Sequence, residues 1–519
     1  MPVRREHLAA LAIAAIAGVS CLIRLPGFTE GGFASHDVGG ILYESMLLRA
    51  GGLPYVDAIE LKAPGTFYLA TVLAGPEGRD IATFQIVANL VALASLLVLA
   101  ALAWRLWGPR AAVFAAALYA LHDAHLDSMD ANYVTWAQLP QVGAALLALS
   151  AATRREVHDR KTMSIWTWTA AGALCGLAAL CKQPSGAILI PVLFWAAFPP
   201  GRRDLPAAVA VAAGFLLAHA PVALHYLARG HLGDLVRGYV WNPWGFEYIA
   251  RNTSTASPGH ALWEFLAATA HFVALPLALA VFALATRPKG YVQKNLSHVP
   301  GAIRFLLVWT AAALLAAAVG LRFYKGYYLA VLPPLCLLAA APWGAACAGL
   351  WRRGRVRLAL APLILVLVAR AAWGLHATRV DRARSHDAGA RKIGQFIRAE
   401  TGPDDRIWVW GWHLWGVHAY SGRLAATRVY KALGLLTVQP DDTWRTPPSP
   451  QKMVEGGRYA AILLEDLAAD PPAFIVLGGT VPRNQFTELR RFLAAHYVRD
   501  HRVRVGRVEI WRRKDHRRT

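Results

Sequence analysis

Several apolar runs in this chain are too long and too free of charge for a water-soluble fold. The run from Ile81 to Trp104 contains no charged residue. At about 1.5 Å per helical residue, it is long enough to cross a hydrocarbon core of roughly 30 Å. Hydrophobic residues make up 56% of the 519 residues and charged residues only 17%, a balance typical of membrane proteins. The sequence therefore predicts a polytopic α-helical membrane protein.

The apolar runs predict about eleven transmembrane helices. The first follows the basic segment MPVRREH. Because no small-x-small cleavage site follows it, we expect an uncleaved span rather than a signal peptide. The predicted spans are residues 8–25, 81–104, 111–122, 131–153, 165–181, 184–199, 206–228, 262–285, 302–320, 327–350 and 357–376.

The basic residues predict the orientation of these spans. With the N-terminus in the cytoplasm, every connection rich in arginine and lysine lies inside, whereas the connection 122–130 has three aspartates and no lysine or arginine. This is a positive-inside pattern. It predicts a multi-pass protein of the bacterial inner membrane, with loop 26–80 and the C-terminal part outside. The net charge of +22 is explained by topology and anionic lipid, so we expect the bilayer as a partner and no nucleic acid.

The chain changes character after about residue 376. Charge rises, prolines cluster and strand-like runs alternate with helical ones, which favours a small extracytoplasmic α/β domain at 377–519 after a membrane domain at 1–376. The predicted strands are Ile407–Val409, Ala460–Leu464, Ala473–Leu477 and Val503–Trp511, and the predicted helices are Ala388–Glu400 and Thr487–Tyr497.

The first predicted outer loop, Phe33–Tyr68, carries the strongest candidate site. It begins with Asp37, and a short amphipathic helix is predicted at Val38–Arg49. Two roles are open for Asp37, and they are compatible: a helix N-cap or a general base for an attacking hydroxyl or amine. The loop ends with Glu60 and Lys62 before a proline, where an ammonium at headgroup level can hold a phosphate.

Further basic residues are predicted on the same face. Lys182 lies between two spans, where an idle charge would be costly, although snorkelling to the interface is an alternative. Arg322, Tyr324 and Lys325 form a basic and aromatic turn that suits a sugar phosphate or an anchoring belt.

Two more outer segments complete the candidate set. The loop containing Asn242 and Tyr248 adds polar and aromatic groups for a donor sugar. The turn containing Asp123, Asp127 and Asp130 has oxygen ligands for a divalent metal, but its irregular spacing favours a solvated loop. The five cysteines include no Cys-x-x-Cys pair, so no zinc site is expected and no cofactor is predicted.

Taken in order, these motifs resemble bacterial membrane glycosyltransferases of the GT-C class, which includes protein O-mannosyltransferases and lipid A aminoarabinose transferases. The segment Gly176–Gln183 and the C-terminal stretch 406–428 extend the resemblance. The motifs that carry it are Asp37 with Tyr43, the Gly51–Tyr55 turn, Lys62-x-Pro64, Gly176–Gln183, Asn242 to Tyr248 and Arg322–Tyr324.

The resemblance implies an inverting transferase that uses a polyprenyl-phosphate-linked sugar. It implies that Asp37 is the base acting on the acceptor and that Lys62, Arg322 and Lys182 hold the departing phosphate. Glu60, Tyr324, Asn242 and Tyr248 are the further residues expected around the donor. The acceptor, whether glycan, lipid or protein, stays open, and so does the sugar.

Two other classes remain as alternatives. A transporter or lipid-glycan flippase would be expected to carry ionisable residues within its spans and to show internal repeats. Here the ionisable residues concentrate at the outer ends and no repeat is visible. A glycan ligase or polymerase with a diphosphate-linked donor would share the membrane setting but not the early aspartate loop.

Overall fold

In a computed structural model, helices dominate the chain and every β strand of the described part lies between Ile407 and Arg513. The structure describes residues 2–29, 32, 35–157, 161–199, 203–252, 257–285, 301–341, 354–383, 387–432, 434–439, 443–445, 450–454 and 457–516.

The helices that precede the sheet follow the predicted spans. Each predicted span overlaps at least one helix, although residues 342–350 of the tenth span lie outside the described residues. These helices are α1 (Pro2–Ile23), α2 (Leu25–Thr29), α3 (His36–Arg49), α4 (Gly65–Leu73), α5 (Ile81–Trp107), α6 (Pro109–His122), α7 (Tyr133–Val157), α8 (Lys161–Cys181), α9 (Leu189–Ala197), α10 (Leu205–Ala228), α11 (Leu232–Leu235), α12 (Pro243–Asn252), α13 (Pro258–Phe272), α14 (Ala274–Ala285), α15 (Ala302–Ala318), α16 (Leu332–Ala340) and α17 (Gly354–Ala383).

Three of the described helices are individually long and apolar enough to cross a membrane: Arg5–Ile23 within α1, and the whole of α5 and α10. A fourth is added if α13 and α14 together form one broken span. The segments Ile165–Cys181, Gln183–Ala197 and Ala302–Ala318 are apolar but shorter. The fold is a helical membrane architecture, and the count of eleven spans stays a prediction.

The predicted span at 262–285 is not one straight helix. The chain breaks there into α13 and α14, which are bent by 91°. Pro276 lies in the first turn of α14. A proline ring cannot continue a helix across this point, because it lacks the N–H donor and clashes with the carbonyl four residues earlier. The apolar composition predicted the length of this segment but does not show where it bends.

Glycines bring the backbones of α8 and α10 into direct contact. A Cβ at Gly172 would lie 2.0 Å from the carbonyl oxygen of Val211, and one at Gly214 would lie 1.9 Å from that of Thr169. Such close approach is how helices associate where no water drives them together. A Cβ at Gly65, at the start of α4, would lie 2.6 Å from the carbonyl oxygen of Leu180. The ends of α8 and of the first loop are therefore adjacent.

The C-terminal part contains a four-stranded sheet in the order β1-β4-β6-β5. Strand β1 is parallel to β4, and the other pairs are antiparallel. Trp408 and Trp410 face one core and Ile407 and Val409 face the other, as the two-residue strand period requires. The elements are α18 (Ala388–Glu400), β1 (Ile407–Trp410), α19 (Gly416–Ser421), β2 (Thr437–Val438), β3 (Lys452–Met453), α20 (Arg458–Ala469), β4 (Phe474–Leu477), α21 (Thr487–His496), β5 (Tyr497–Asp500) and β6 (Glu509–Arg513).

The predicted α/β character of this region is confirmed, with corrections. Two predicted strands and both predicted helices are present, as β1, β4, α18 and α21. The predicted strand Ala460–Leu464 is wrong, because these residues lie in α20, where Leu463 and Leu467 are buried one turn apart. The strand predicted at Val503–Trp511 begins only at Glu509. Because α17 runs on to Ala383, the domain boundary at 376/377 stays a prediction.

Helix α3 lies between the membrane helices and the C-terminal region. Val38, Ile41 and Leu42 pack with residues of α4, α5 and α7. Tyr43 and Leu47 pack instead with residues that include Ala425 and Tyr430. The prediction of an amphipathic helix on a soluble loop is therefore wrong: every residue from Val38 to Leu47 is buried. Helix α3 is therefore covered on both faces.

Candidate active site

Asp37 lies in the first turn of α3. The N-cap is Ser35, whose hydroxyl accepts the Asp37 backbone N–H at 3.2 Å, so the expectation that Asp37 itself is the N-cap is wrong. The Ser35 N–H in turn donates to an Asp130 carboxylate oxygen at 2.7 Å. The Asp37 side chain is therefore not needed to begin the helix, and the helix dipole favours its negative charge.

The charge on Asp37 is maintained by nearby cations. Burial raises the pKa of the carboxyl, but the cations, with Lys62 the strongest, outweigh burial and hold that pKa below its ordinary value. The same interaction acts on the partner: burial lowers the pKa of Lys62, yet Asp37 and its neighbours raise it above its usual range. Asp37 and Lys62 are therefore close enough for each charge to shift the pKa of the other, and their roles as base and phosphate-binding group stay a prediction.

The backbone around Lys62 is held by hydrogen bonds from several directions. The Tyr55 hydroxyl donates to the Lys62 carbonyl oxygen at 2.6 Å. A Glu60 carboxylate oxygen accepts the Lys62 N–H at 3.1 Å. The Asn242 side-chain amide donates to the Leu61 carbonyl oxygen at 3.0 Å. The position of the Lys62 ammonium, 5.5 Å from the centre of the Tyr133 ring, is therefore defined by a fixed main chain.

Lys182 reaches the same group of side chains from the end of α8. Its ammonium lies 4.3 Å from the centre of the Tyr327 ring. Burial, with the nearby charge of Lys62, lowers the pKa of Lys182 to about 7. A lysine with that pKa changes its charge near neutral pH. The snorkelling alternative places the ammonium in the headgroup layer, whereas here it lies against an aromatic ring of the site.

Arg322 is held in a strained turn. The residues on both sides of it, Leu321 and Phe323, have φ values of 51° and 54°, a left-handed region that costs energy for side chains of this size. Arg322 is 3% exposed, donates to the Tyr324 hydroxyl at 3.3 Å and lies 5.2 Å from the centre of the Tyr248 ring. A buried arginine does not serve as an interfacial anchor, which favours the ligand-binding interpretation of this turn.

The remaining predicted residues mostly support this group. Asn242 has a left-handed backbone and accepts the Gly245 N–H at 2.9 Å, so it connects its own loop to the first loop. Tyr248 packs against Gly434, where an added Cβ would be 2.1 Å from the ring. Lys325 pairs with Asp127 at 2.8 Å. These contacts bring the outer loops together around Arg322.

Glu60 lies behind Lys62. It is fully buried; one carboxylate oxygen accepts the backbone N–H groups of residues 61 and 62, and the other accepts from Tyr430 and Lys431. Its position supports a role in holding Lys62, and direct contact with a donor stays a prediction. The sequence interpretation missed Lys431, although this cation stands out in the apolar run VYKALGLL.

The acidic turn is a structural network. Asp123 and Asp130 are buried, Asp123 forms an ion pair with the buried Arg24, and Arg24 also donates to the Ser128 hydroxyl at 2.6 Å. The expectation of a solvated loop is therefore wrong. Within the described ranges, no three His, Cys, Asp or Glu side chains are placed to hold a metal ion.

Comparison with known proteins confirms the resemblance found in the sequence. Residues 62–226 match the family model for dolichyl-phosphate-mannose-protein mannosyltransferases, and this segment contains Lys62 and Lys182. No curated protein sequence matches the chain.

Solved structures match over most of the chain. ArnT from Cupriavidus metallidurans bound to undecaprenyl phosphate is 13% identical, with 96% of this chain and 97% of that chain covered and a TM-score of 0.60. The apo state of the same protein gives 15% identity, coverages of 97% and 98%, and a TM-score of 0.58. The Archaeoglobus fulgidus oligosaccharyltransferase in its apo form gives 13% identity, coverages of 89% and 69%, and a TM-score of 0.54. The chain therefore shares the fold of these structures.

Proposed function

We propose that this protein is an inverting glycosyltransferase that moves a sugar from a polyprenyl-phosphate donor to an acceptor at the extracytoplasmic face of the inner membrane. The carrying observation is that Asp37, Lys62 and Lys182 are close enough to shift one another's pKa values, and that the Lys182 ammonium lies 4.3 Å from the centre of the Tyr327 ring. A base for an acceptor and cations for a phosphate are the two requirements of this transfer. The match of residues 62–226 to the mannosyltransferase model supports the same class.

Asp37 acts as the general base. An acceptor hydroxyl or amine attacks the anomeric carbon while its proton passes to an Asp37 carboxylate oxygen. The bond between the anomeric carbon and the phosphate oxygen breaks, and its electron pair stays on that oxygen. Attack from the face opposite the phosphate inverts the anomeric centre. Because the pKa of Asp37 is held below its ordinary value, the carboxylate is ionised and ready at neutral pH.

The cations stabilise the departing phosphate. Lys62 supplies a permanent point charge, Lys182 a charge that depends on pH, and Arg322 a planar fork that suits phosphate oxygens. The charge on the phosphate increases as the bond breaks, so these groups stabilise the transition state more than the bound donor. Tyr248 and Tyr324, which contact Arg322, suit stacking against the sugar.

The topology follows from the same proposal. The donor's lipid tail stays in the bilayer, so the site lies at the membrane's outer surface, with the N-terminus in the cytoplasm and the C-terminal region outside. The acidic connection at 122–130, whose Asp130 accepts from the Ser35 N–H, is then on the same side as α3. The similar ArnT structure is bound to undecaprenyl phosphate, which supports a polyprenyl-phosphate donor for this protein.

The test is donor consumption by the purified protein in lipid nanodiscs. A panel of polyprenyl-phosphate and polyprenyl-diphosphate sugars is supplied with glycan, lipid and peptide acceptors. We expect turnover with a monophosphate donor, and we expect Asp37→Asn to lower kcat by roughly a thousandfold while donor affinity stays unchanged. Asp80→Asn is the matched control, because asparagine preserves its cap on α5. Wild-type turnover by Asp37→Asn, or use of diphosphate donors only, would overturn the proposal.

A further inference from the structure

The C-terminal region places one lysine deep against the first loop. Lys431 is 4% exposed and Glu60 0% exposed, and their side chains form an ion pair although they are 371 residues apart in the chain. The Tyr430 hydroxyl donates to the same Glu60 oxygen at 2.5 Å. Two buried charges of this kind depend on each other, since removal of either leaves the other uncompensated.

Glu60 connects this lysine to the main chain of Lys62. Its second carboxylate oxygen accepts the N–H groups of Leu61 at 2.6 Å and Lys62 at 3.1 Å. The carboxylate is therefore fixed from one side by Lys431 and fixes the peptide of Lys62 on the other. If the ammonium is lost, the carboxylate loses the charge that holds it, and the Lys62 backbone loses its acceptor.

Lys431 also lies over the helix that carries Asp37. A Cβ at Gly40 would be 2.6 Å from Cε and 2.8 Å from Nζ of Lys431. Asp37 and Gly40 are three positions apart, so they lie on the same face of α3. The glycine leaves the space that the lysine side chain occupies. The adjacent Gly39 lets the backbone of Gly416 approach in the same way, at 2.6 Å from an added Cβ.

Two carboxyl groups, those of Glu44 and Glu60, lie near Lys431. Burial and the neighbouring Glu60 raise the pKa of Glu44 well above its ordinary value, and the ion pair of Lys431 is with Glu60. The rings of Trp415 and Tyr430 each lie 5.2 Å from the Lys431 ammonium and shield it from water. Lys431 also helps to hold the pKa of Asp37 low, in addition to Lys62, His36 and Lys182.

We propose that Lys431 is a positioning residue of the active site, contributed by the C-terminal region, which fixes Glu60 behind Lys62 and places a positive charge over the face of α3 that carries Asp37. This inference rests on the proposed role of Asp37 as base. It makes the C-terminal region a structural component of the catalytic machinery, whatever acceptor that region contacts.

The first experiment is the pH profile of kcat/KM for the full-length protein with Lys431 replaced. Lys431→Met is expected to lower kcat/KM at least tenfold and to move the acid limb to higher pH, because loss of a cation raises the pKa of Asp37. Lys431→Arg is expected to restore the wild-type limb, since it keeps the charge. Lys452→Met, at an exposed lysine of β3, is the control and should match the wild type.

A second experiment displaces the ammonium without removing it. Gly40→Ala would push the flexible end of the Lys431 side chain away, and a loss of activity is expected despite alanine's higher helix propensity. In a Lys431→Ala background the space is empty, so Gly40→Ala should cause no further loss. This double-mutant comparison of Gly40→Ala and Lys431→Ala still tests the role of Lys431 if Lys431→Met does not fold.

The outcomes separate the two proposals. If Asp37→Asn is inactive while Lys431→Met keeps the wild-type acid limb and kcat/KM, the role of Lys431 is refuted and the proposed function stands. Additive losses for Gly40→Ala and Lys431→Ala would also refute it. If Asp37→Asn retains activity, both proposals fail.

Discussion

Lys182 gives the sharpest prediction, because its charge changes within the range of an ordinary enzyme assay. A sugar linked through a polyprenyl phosphate is a phosphodiester, whose single charge does not titrate near neutrality. Lys62 remains charged there, since its pKa lies above the usual range, and Arg322 carries a guanidinium that stays protonated. A pH dependence of donor recognition between pH 6.5 and 8.5 that disappears in Lys182→Arg would therefore report Lys182.

The expected size follows from its pKa of about 7. The pKa of this group is lowered, so the charge is present below pH 7 and lost above it. The protonated fraction falls from about three quarters at pH 6.5 to roughly 3% at pH 8.5. A hydrogen bond from a charged donor contributes about 1.5–3 kcal/mol. We therefore expect kcat/KM for the donor to fall about tenfold. The change in the protonated fraction sets an upper limit of roughly 25-fold.

The assay is donor kcat/KM at constant ionic strength, which reports groups of the free enzyme. Lys182→Arg stays charged, so its donor kcat/KM should remain high across the pH range. Lys182→Met carries no charge, so its donor kcat/KM should remain low across the same range. Lys62→Arg is the control and should keep the wild-type slope. A flat wild-type profile, or an unchanged slope in Lys182→Arg, would refute the assignment of this titration to Lys182.

Three further predictions test other parts of the site and fold. Lys62→Ala should raise the donor KM about tenfold or more and leave the acceptor KM unchanged; an unaltered donor KM would contradict phosphate binding by Lys62. Arg322→Lys should lower kcat about tenfold because lysine lacks the planar fork, and full activity would mean that charge alone suffices. Gly172→Ala should lower the Tm by several degrees, because its Cβ meets the Val211 carbonyl at 2.0 Å. Gly18→Ala, with nothing within 4 Å of the added Cβ, is the control, and equal Tm values for the two variants would refute the packing argument.

The sequence predicted the parts of the fold that depend on local patterns. Runs such as Ile81–Trp104 became helices because their length and composition leave few other structures for a buried backbone. The strands at β1 and β4 were visible as short, bounded apolar runs. The five residues Ala460–Leu464 are too few to distinguish a strand from one face of a helix. The break at Val273 depends on the position of Pro276, which the apolar composition of the segment does not show.

The sequence indicated candidate charged residues for the site but not the residues that hold them in place. Asp37, Lys62, Lys182 and Arg322 could be selected because charges at the ends of apolar runs are costly unless used. The role of Lys431 could not be read from its neighbours, because its partner Glu60 lies in the first loop. The strain at Leu321 and Phe323 is also invisible in the sequence, since it arises from backbone conformation that ordinary side chains rarely adopt.

The pairing of Glu60 with Lys431 has a consequence for biosynthesis. A nascent chain synthesised through its membrane helices already contains Asp37, Glu60, Lys62, Lys182 and Arg322, but not the lysine that pairs with Glu60. The Glu60 carboxylate lacks this partner until the segment that contains Lys431 has been synthesised. With the roles proposed for Glu60 and Lys431, competence for catalysis would be acquired only after translation has passed residue 431, and a chain released early would lack this ion pair.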